Sequence, residues 1–135
     1  MEKEAIQSKG AEIRLELIDN WHDRWKIALS LVEGLGQRAC LHIDEDGWLS
    51  ARQNLLVAFV RAKPAGFVCF RVQPILRDGT VVIEDGRPAM EAVVDGSGTV
   101  SGIDRKKVGH VLLEAAMNRA LELRCRKFHA KAATE

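Results

Sequence analysis

Residues 101–128 read SGIDRKKVGHVLLEAAMNRALELRCRKF. The stretch opens on small residues, gathers Arg105, Lys106 and Lys107, and runs straight into an amphipathic segment. Leu112, Leu113, Ala116, Ala120 and Leu123 recur at helical spacing, which predicts a helix from about Val108 to Leu123. Arg124 to Lys127 then supply cations where the helix ends, and the C-terminal end of the macrodipole favours them. The cations at the front are the anomaly. Amides at a helix N-terminus favour anions, so three cations there oppose the dipole unless an anion is bound. Either the cluster is a solvated loop, or something negative sits on it.

Beyond this helix, "KFHAKA" reads as a short strand returning beside the strand that precedes the helix. Upstream, Leu55 to Arg61 and Gly66 to Val72 are apolar, β-rich runs separated by "AKPA", the pattern of a hairpin. "RDGT" and "EDGR" are two Asp-Gly turn signals. They bracket a short run from Val81 to Glu84 and introduce an apolar stretch, with a strand expected over Met90–Val94. Leu55 to Val100 therefore reads as an antiparallel meander. Further back, Ile13, Leu15 and Leu17 alternate with Glu12, Arg14 and Glu16, a strand with one wet face. Asp19 and Asn20 are good caps for a first helix carrying Trp21, Trp25, Ala28, Leu29 and Val32 on one stripe and ending near Gly34 and Gly36. Trp48 is expected as an anchor under a loop or short helix. The order is strand, helix, meander, loop, long helix, strand. It predicts a mixed α/β fold, a mostly antiparallel sheet with flanking helices, closed by a right-handed strand–helix–strand crossover.

Length and composition fit this. With 135 residues, one domain is expected over 11–135, after a flexible lead-in over 1–10. A net charge of +1 gives no general reason to expect nucleic acid or a membrane surface, so any electrostatic argument must be local. The first residues are charged and contain no apolar core of a signal peptide, and no apolar run reaches the ~18 residues a membrane helix needs. Cys40, Cys69 and Cys125 are odd in number and widely spaced, which argues for free thiols in a reducing compartment, hence the cytoplasm. The four His and three Cys show no metal-ligand spacing.

The element order resembles the GNAT family, the GCN5-related N-acetyltransferases. "LLVAFVRAKPAGFVCFRV" looks like that family's second and third strands, and "VGHVLLEAAMNRALELRCRKF" is similar to its cofactor helix and the strand that follows. The resemblance covers roughly Glu12 to Ala130. It implies a domain shortened after the fifth strand, because family members usually continue with another helix and more strands. It also implies acetyl-CoA as cofactor, with contacts from Val100, Arg105, Lys106, Lys107, Val108, Gly109 and His110. In the family the loop before this helix reads Gln or Arg, two residues, Gly, one residue, Gly or Ala, and its amides cradle a pyrophosphate. Counted back from Gly109 without a gap, Asp104 stands where Arg or Gln belongs and Lys107 where the first glycine belongs; a loop one residue shorter puts Arg105 at the Arg position but still supplies no first glycine. The loop is degenerate.

The resemblance further implies transfer of an acetyl group to an amine of a small molecule or protein. A base removes the amine's proton, the amine attacks the thioester, and an acid, often a Tyr, protonates the leaving thiolate. Glu91, a carboxylate inside "PAMEAVV", is the candidate base, and Asp95 at the strand end is a second. An outward-facing surface Glu is the competing reading of Glu91, and a turn role that of Asp95. The chain has no Tyr, leaving Cys125 or His129 as substitutes for the acid. The missing Tyr and degenerate loop support an alternative: an inactive scaffold that binds CoA or a protein. An uncovered final strand leads to the expectation of a homodimer.

Overall fold

The computed structural model describes residues 6–8, 11–102 and 104–130. In chain order the elements are β1 (Ile6–Ser8), β2 (Ala11–Ile18), α1 (Trp25–Gly34), a 3₁₀ turn (Arg38–Cys40), β3 (Gln53–Val60), β4 (Lys63–Pro74), β5 (Leu76–Arg77), β6 (Thr80–Val81), β7 (Ile83–Glu84), β8 (Arg87–Pro88), β9 (Met90–Thr99), α2 (Arg105–Glu122) and β10 (Cys125–His129). The main sheet runs β1-β2-β3-β4-β9-β10. Its neighbours are antiparallel except β9 and β10, which are parallel and joined through α2. This is the expected mixed, mostly antiparallel α/β sheet. Within the lead-in expected over 1–10, Ile6–Ser8 pair with β2; the rest of it, like residues 131–135, lies outside the described residues.

The central strands read as continuous apolar runs because both faces are covered. Leu56, Ala58, Val68 and Phe70 pack with Val108, Val111, Leu112 and Ala116 of α2. Their neighbours Leu55, Val57, Phe59, Phe67 and Cys69 pack with Ala28, Leu31 and Val32 of α1. Successive strand residues point to opposite faces, so a helix sits on each side. Fully burying such a side chain stabilises the fold by roughly 1.5–3 kcal/mol.

Several boundaries differ from the sequence reading, each for a local reason. The first helix starts at Trp25, with no side-chain cap, rather than after Asn20. The Asp19 carboxylate accepts from the Trp21 amide at 3.0 Å and its carbonyl from His22 at 3.0 Å, closing a turn of its own. Trp21 is therefore not on the helical stripe; it is 82% exposed, with its ring 5.0 Å from that of Trp48. The hairpin turn falls at Arg61–Ala62, both with positive φ, so Lys63 and Pro64 already belong to β4. A register shift between Ala58 and Phe59 accommodates the proline. The run Val81–Glu84 splits between two small hairpins turning on Asp78-Gly79 and Asp85-Gly86. All four turn residues have φ between 52° and 79°, as a two-residue turn matched to strand twist requires. The strand expected over Met90–Val94 runs on to Thr99, and α2 begins three residues early at Arg105.

Candidate functional site

The site begins where β9 and β10 separate. Their ladder holds Cys125 to His129 against Met90 to Val93 and goes no further, while β9 continues to Thr99. Among the described residues, Val94–Thr99 is paired only with β4 and offers its other edge to an opening. A bulge lies at that point. Cys69 pairs with Gly96 and Phe70 with Val94, leaving Asp95 without an opposite residue. Val94 faces α2, whereas Asp95 and Gly96 both turn to the α1 side, where Asp95 meets Gln53 and Gly96 lies under Cys40. A bulge sharpens the local twist, which carries β9 away from its neighbour.

On the α2 side the opening is a groove of about 310 Å³, lined among others by Val94, Ser97, Thr99, Arg105, Gly109 and Leu112. Arg105 folds back over the helix start, and its Nε donates to Thr99 Oγ1 at 3.3 Å. A Cβ on Gly109 would meet nothing within 4 Å, so the space before it is open. The basic cluster thus splits: Arg105 borders the groove, while Lys106, Lys107 and His110 are exposed and do not line it. Val108 is buried in the core. The Val100 side chain packs on the α1 side, and its amide already donates to Ala65 O at 2.8 Å. Asp104 caps α2, its carboxylate accepting from the Lys107 amide at 3.1 Å. That satisfies an orphan amide of the helix, and it puts a fixed anion where a phosphate would compete for the same donor.

On the opposite face of the sheet lies a line of polar side chains. Glu91 Oε2 accepts from Gln73 Nε2 at 2.8 Å, and its Oε1 lies 3.0 Å from His129 Nε2. Gln73 Oε1 accepts from Arg71 Nη1 at 2.5 Å, and Arg71 Nε donates to Asp95 Oδ1 at 2.9 Å. Gln53 Nε2 donates to Asp95 Oδ2 at 2.8 Å and to Cys40 O at 2.9 Å. The hydrogen bond from Gln73, with the bond to and charge of His129 and the charge of Lys127, holds the Glu91 carboxyl below its ordinary range against the opposing effect of burial. These contacts favour the charged form of Glu91, whose side chain is only 16% exposed. Asp95 is not a turn residue but a bulge residue fixed by an arginine and a glutamine. Cys125 is buried and its thiol is pushed up by that burial and by Glu91, so His129, not Cys125, is the group in contact with the carboxylate. The sequence reading did not include Gln53, Arg71 or Gln73. A signal existed for the last two: "FRVQP" places polar residues at i and i+2 at the end of an apolar strand, on one face. Among the described residues no cluster of His, Cys, Asp or Glu suits a metal ion.

No protein-family model matches the sequence, and no curated protein does. Solved structures do. An aminoglycoside acetyltransferase from an uncultured soil metagenomic sample, in complex with trehalose, superposes with a TM-score of 0.66 at 12% identity, covering 91% of this chain and 78% of that one. Ribosomal-protein-alanine N-acetyltransferase from Brucella melitensis biovar Abortus 2308 gives 0.63 at 16% identity, covering 87% and 77%. The chain has the fold of the GNAT N-acetyltransferases. A GNAT aminoglycoside N-acetyltransferase solved in complex with CoA gives 0.58 at 14% identity, over 96% of this chain and 82% of that one. The fold is shared across identities this low because it rests on the sheet pattern and the crossover helix. In this GNAT-fold chain the parted strands open toward α2 on one side and toward Glu91 and His129 on the other.

Proposed function

We propose that the chain is an acyl-CoA-dependent N-acyltransferase, with acetyl-CoA as donor and an amine of a small molecule or protein as acceptor. One observation carries this reading: the separation of β9 from β10 just beyond Val93, with a groove on the α2 face and a hydrogen-bonded carboxylate on the opposite face. Two features of the groove support placing the donor there. A free strand edge from Val94 to Thr99 suits an extended amide-bearing arm, and open space before Gly109 suits close approach of a phosphate to a helix start. When bound, the donor supplies a thioester whose carbonyl carbon accepts the amine nitrogen. Arg105, Gly109 and the β9 edge would hold it, and Glu91 on the far face would draw the amine's proton. Lys106 and Lys107 act on the phosphates only through solvent, as point charges.

The second reading, a CoA-binding or protein-binding scaffold without activity, has its own support. Asp104 occupies the Lys107 amide, and the chain lacks Tyr. We take the protein to work as a homodimer in the cytoplasm, supported by the edge position of β10 among the described residues and by three free cysteines. No helix among the described residues is long and apolar enough to cross a membrane. Calorimetric titration of CoA and acetyl-CoA, followed by thiol-release assays with a panel of primary amines, tests the reading. Micromolar binding with amine-dependent thiol release supports the transferase; binding without release supports the scaffold. No binding at millimolar CoA overturns both.

A further inference from the structure

We propose that His129, through Nδ1, is the base that takes the proton from the acceptor amine, and that Glu91 is the carboxylate that orients it. The inference rests on the transferase reading and reverses the role that a lone strand carboxylate would have in it.

The hydrogen bonds decide between the two groups. Both oxygens of Glu91 are engaged, one by Gln73 at 2.8 Å and the other by His129 at 3.0 Å. Each oxygen keeps a second lone pair, but the side chain is only 16% exposed, so an arriving amine has little access to it. His129 has the opposite character: its side chain is 46% exposed. Because Nε2 faces a carboxylate, that nitrogen carries the hydrogen in the neutral ring, which leaves the Nδ1 lone pair outward. Among the described residues no side chain bonds Nδ1. Nucleophile, base and orienting third group form a recurring constellation, and here the orienting group is itself held. Arg71 fixes Gln73 at 2.5 Å and Asp95 at 2.9 Å, so the line from the bulge to Glu91 is braced at each member.

Position agrees with chemistry. His129 is opposite Val93, the last rung before β9 and β10 part. The ring therefore stands at the mouth of the opening, on the face away from the α2 groove. The charged groups around it are Glu91 on β9, Lys127 two residues back on its own strand, and, beyond Glu91, the Arg71–Asp95 pair.

The step balances as follows. An acceptor arriving as an ammonium ion gives one proton to Nδ1, and the resulting imidazolium is stabilised by Glu91. The freed nitrogen lone pair bonds the acyl carbon as the carbon–sulfur bond breaks. The sulfur leaves with that electron pair and takes up the second N–H proton, and Nδ1 returns its own proton to solvent.

The test uses His129→Gln and Glu91→Gln in the full chain, with CoA binding by calorimetry, thiol release across pH, and the His129 ring tautomer from its nitrogen shifts by NMR. The acceptors are an aminoglycoside, a polyamine and an N-terminal alanyl peptide. We expect His129→Gln to bind CoA within about twofold of wild type, to lose roughly 10²–10⁴-fold in kcat, and to lose the limb of the pH profile in the imidazole range. Glu91→Gln should weaken the preference for hydrogen on Nε2 of the neutral ring and lose less activity. If His129→Gln keeps wild-type kcat and the same pH limb, or if Glu91→Gln leaves the ring tautomer unmoved, the assignment is overturned while the transferase reading stands. If wild type itself releases no thiol with any acceptor, the transferase reading fails and this inference falls with it.

Discussion

Replacing Gly109 by alanine sets stability and cofactor affinity against one another. Gly109 is the fifth residue of α2, in helical backbone, and an added Cβ meets no atom within 4 Å. In the free protein the substitution has nothing to clash with. It removes the entropic penalty of glycine inside a helix, about 0.5–1 kcal/mol. Unfolding entropy near 2.1 cal/mol/K per residue gives roughly 0.28 kcal/mol/K for this length. The Tm of Gly109→Ala should therefore rise by about 2–4 °C. The empty space before Gly109 also borders the groove, and a phosphate held by the helix start would need it. CoA affinity should fall about tenfold, or roughly 1.4 kcal/mol. Differential scanning calorimetry of the free protein and titration of CoA read the two effects separately. A lower Tm would show that the local packing is misjudged. A higher Tm with unchanged CoA affinity would show that no phosphate lies against Gly109, and the placement of the donor on this helix would be wrong.

Asp104→Asn keeps an acceptor for the Lys107 amide but removes the charge, so Tm should stay within about 1 °C while CoA binds several-fold tighter, by titration calorimetry. Gly66→Ala should destabilise by about 1–3 kcal/mol in chemical denaturation, because its Cβ would lie 2.8 Å from the Gly98 carbonyl, a backbone atom of the neighbouring strand. Thiol reactivity should be graded. The bond from Cys69 lowers the Cys40 thiol despite burial and Asp95, while Cys69 and Cys125 are raised, so iodoacetamide near pH 7.5 should label Cys40 first and Cys69 only on unfolding.

What the sequence discloses and what it conceals follow from the range of the interactions. Leu55 to Val72 is legible because burial on both faces leaves unbroken apolar runs, and the two Asp-Gly turns because left-handed backbone at paired positions restricts the residue choice. The α2 stripe is legible because helix contacts are local. The start of α1 is not, since Asp19 is equally good as a helix cap and as the closure of a turn, and long-range contacts distinguish them: the Trp21–Trp48 ring pair and the Asn20 hydrogen bonds to Gly47 and Leu49. The candidate site is still less legible. Glu91 stands out in the sequence as a carboxylate among apolar residues, but its partner His129 lies 38 residues away. The two meet because the parallel ladder slips between Cys125 and Lys127, which sets His129 opposite Val93. Register in a parallel pair is fixed by what α2 packs beneath it, not by a turn, and no local pattern records it. The bulge at Asp95 has the same origin: it exists because Cys69 and Phe70 have three residues opposite them, and it alone puts Asp95 and Gly96 on one face. The basic cluster of the loop shows the limit from the other side. Three adjacent cations look like one feature in the sequence, yet Arg105 turns back to Thr99 while both lysines face solvent, and the anion already at the helix start is the chain's own Asp104. A bound phosphate would have to share the helix start with that carboxylate. Neutralising Asp104 is therefore the substitution that separates a weakened anion site from a capped helix with no ligand.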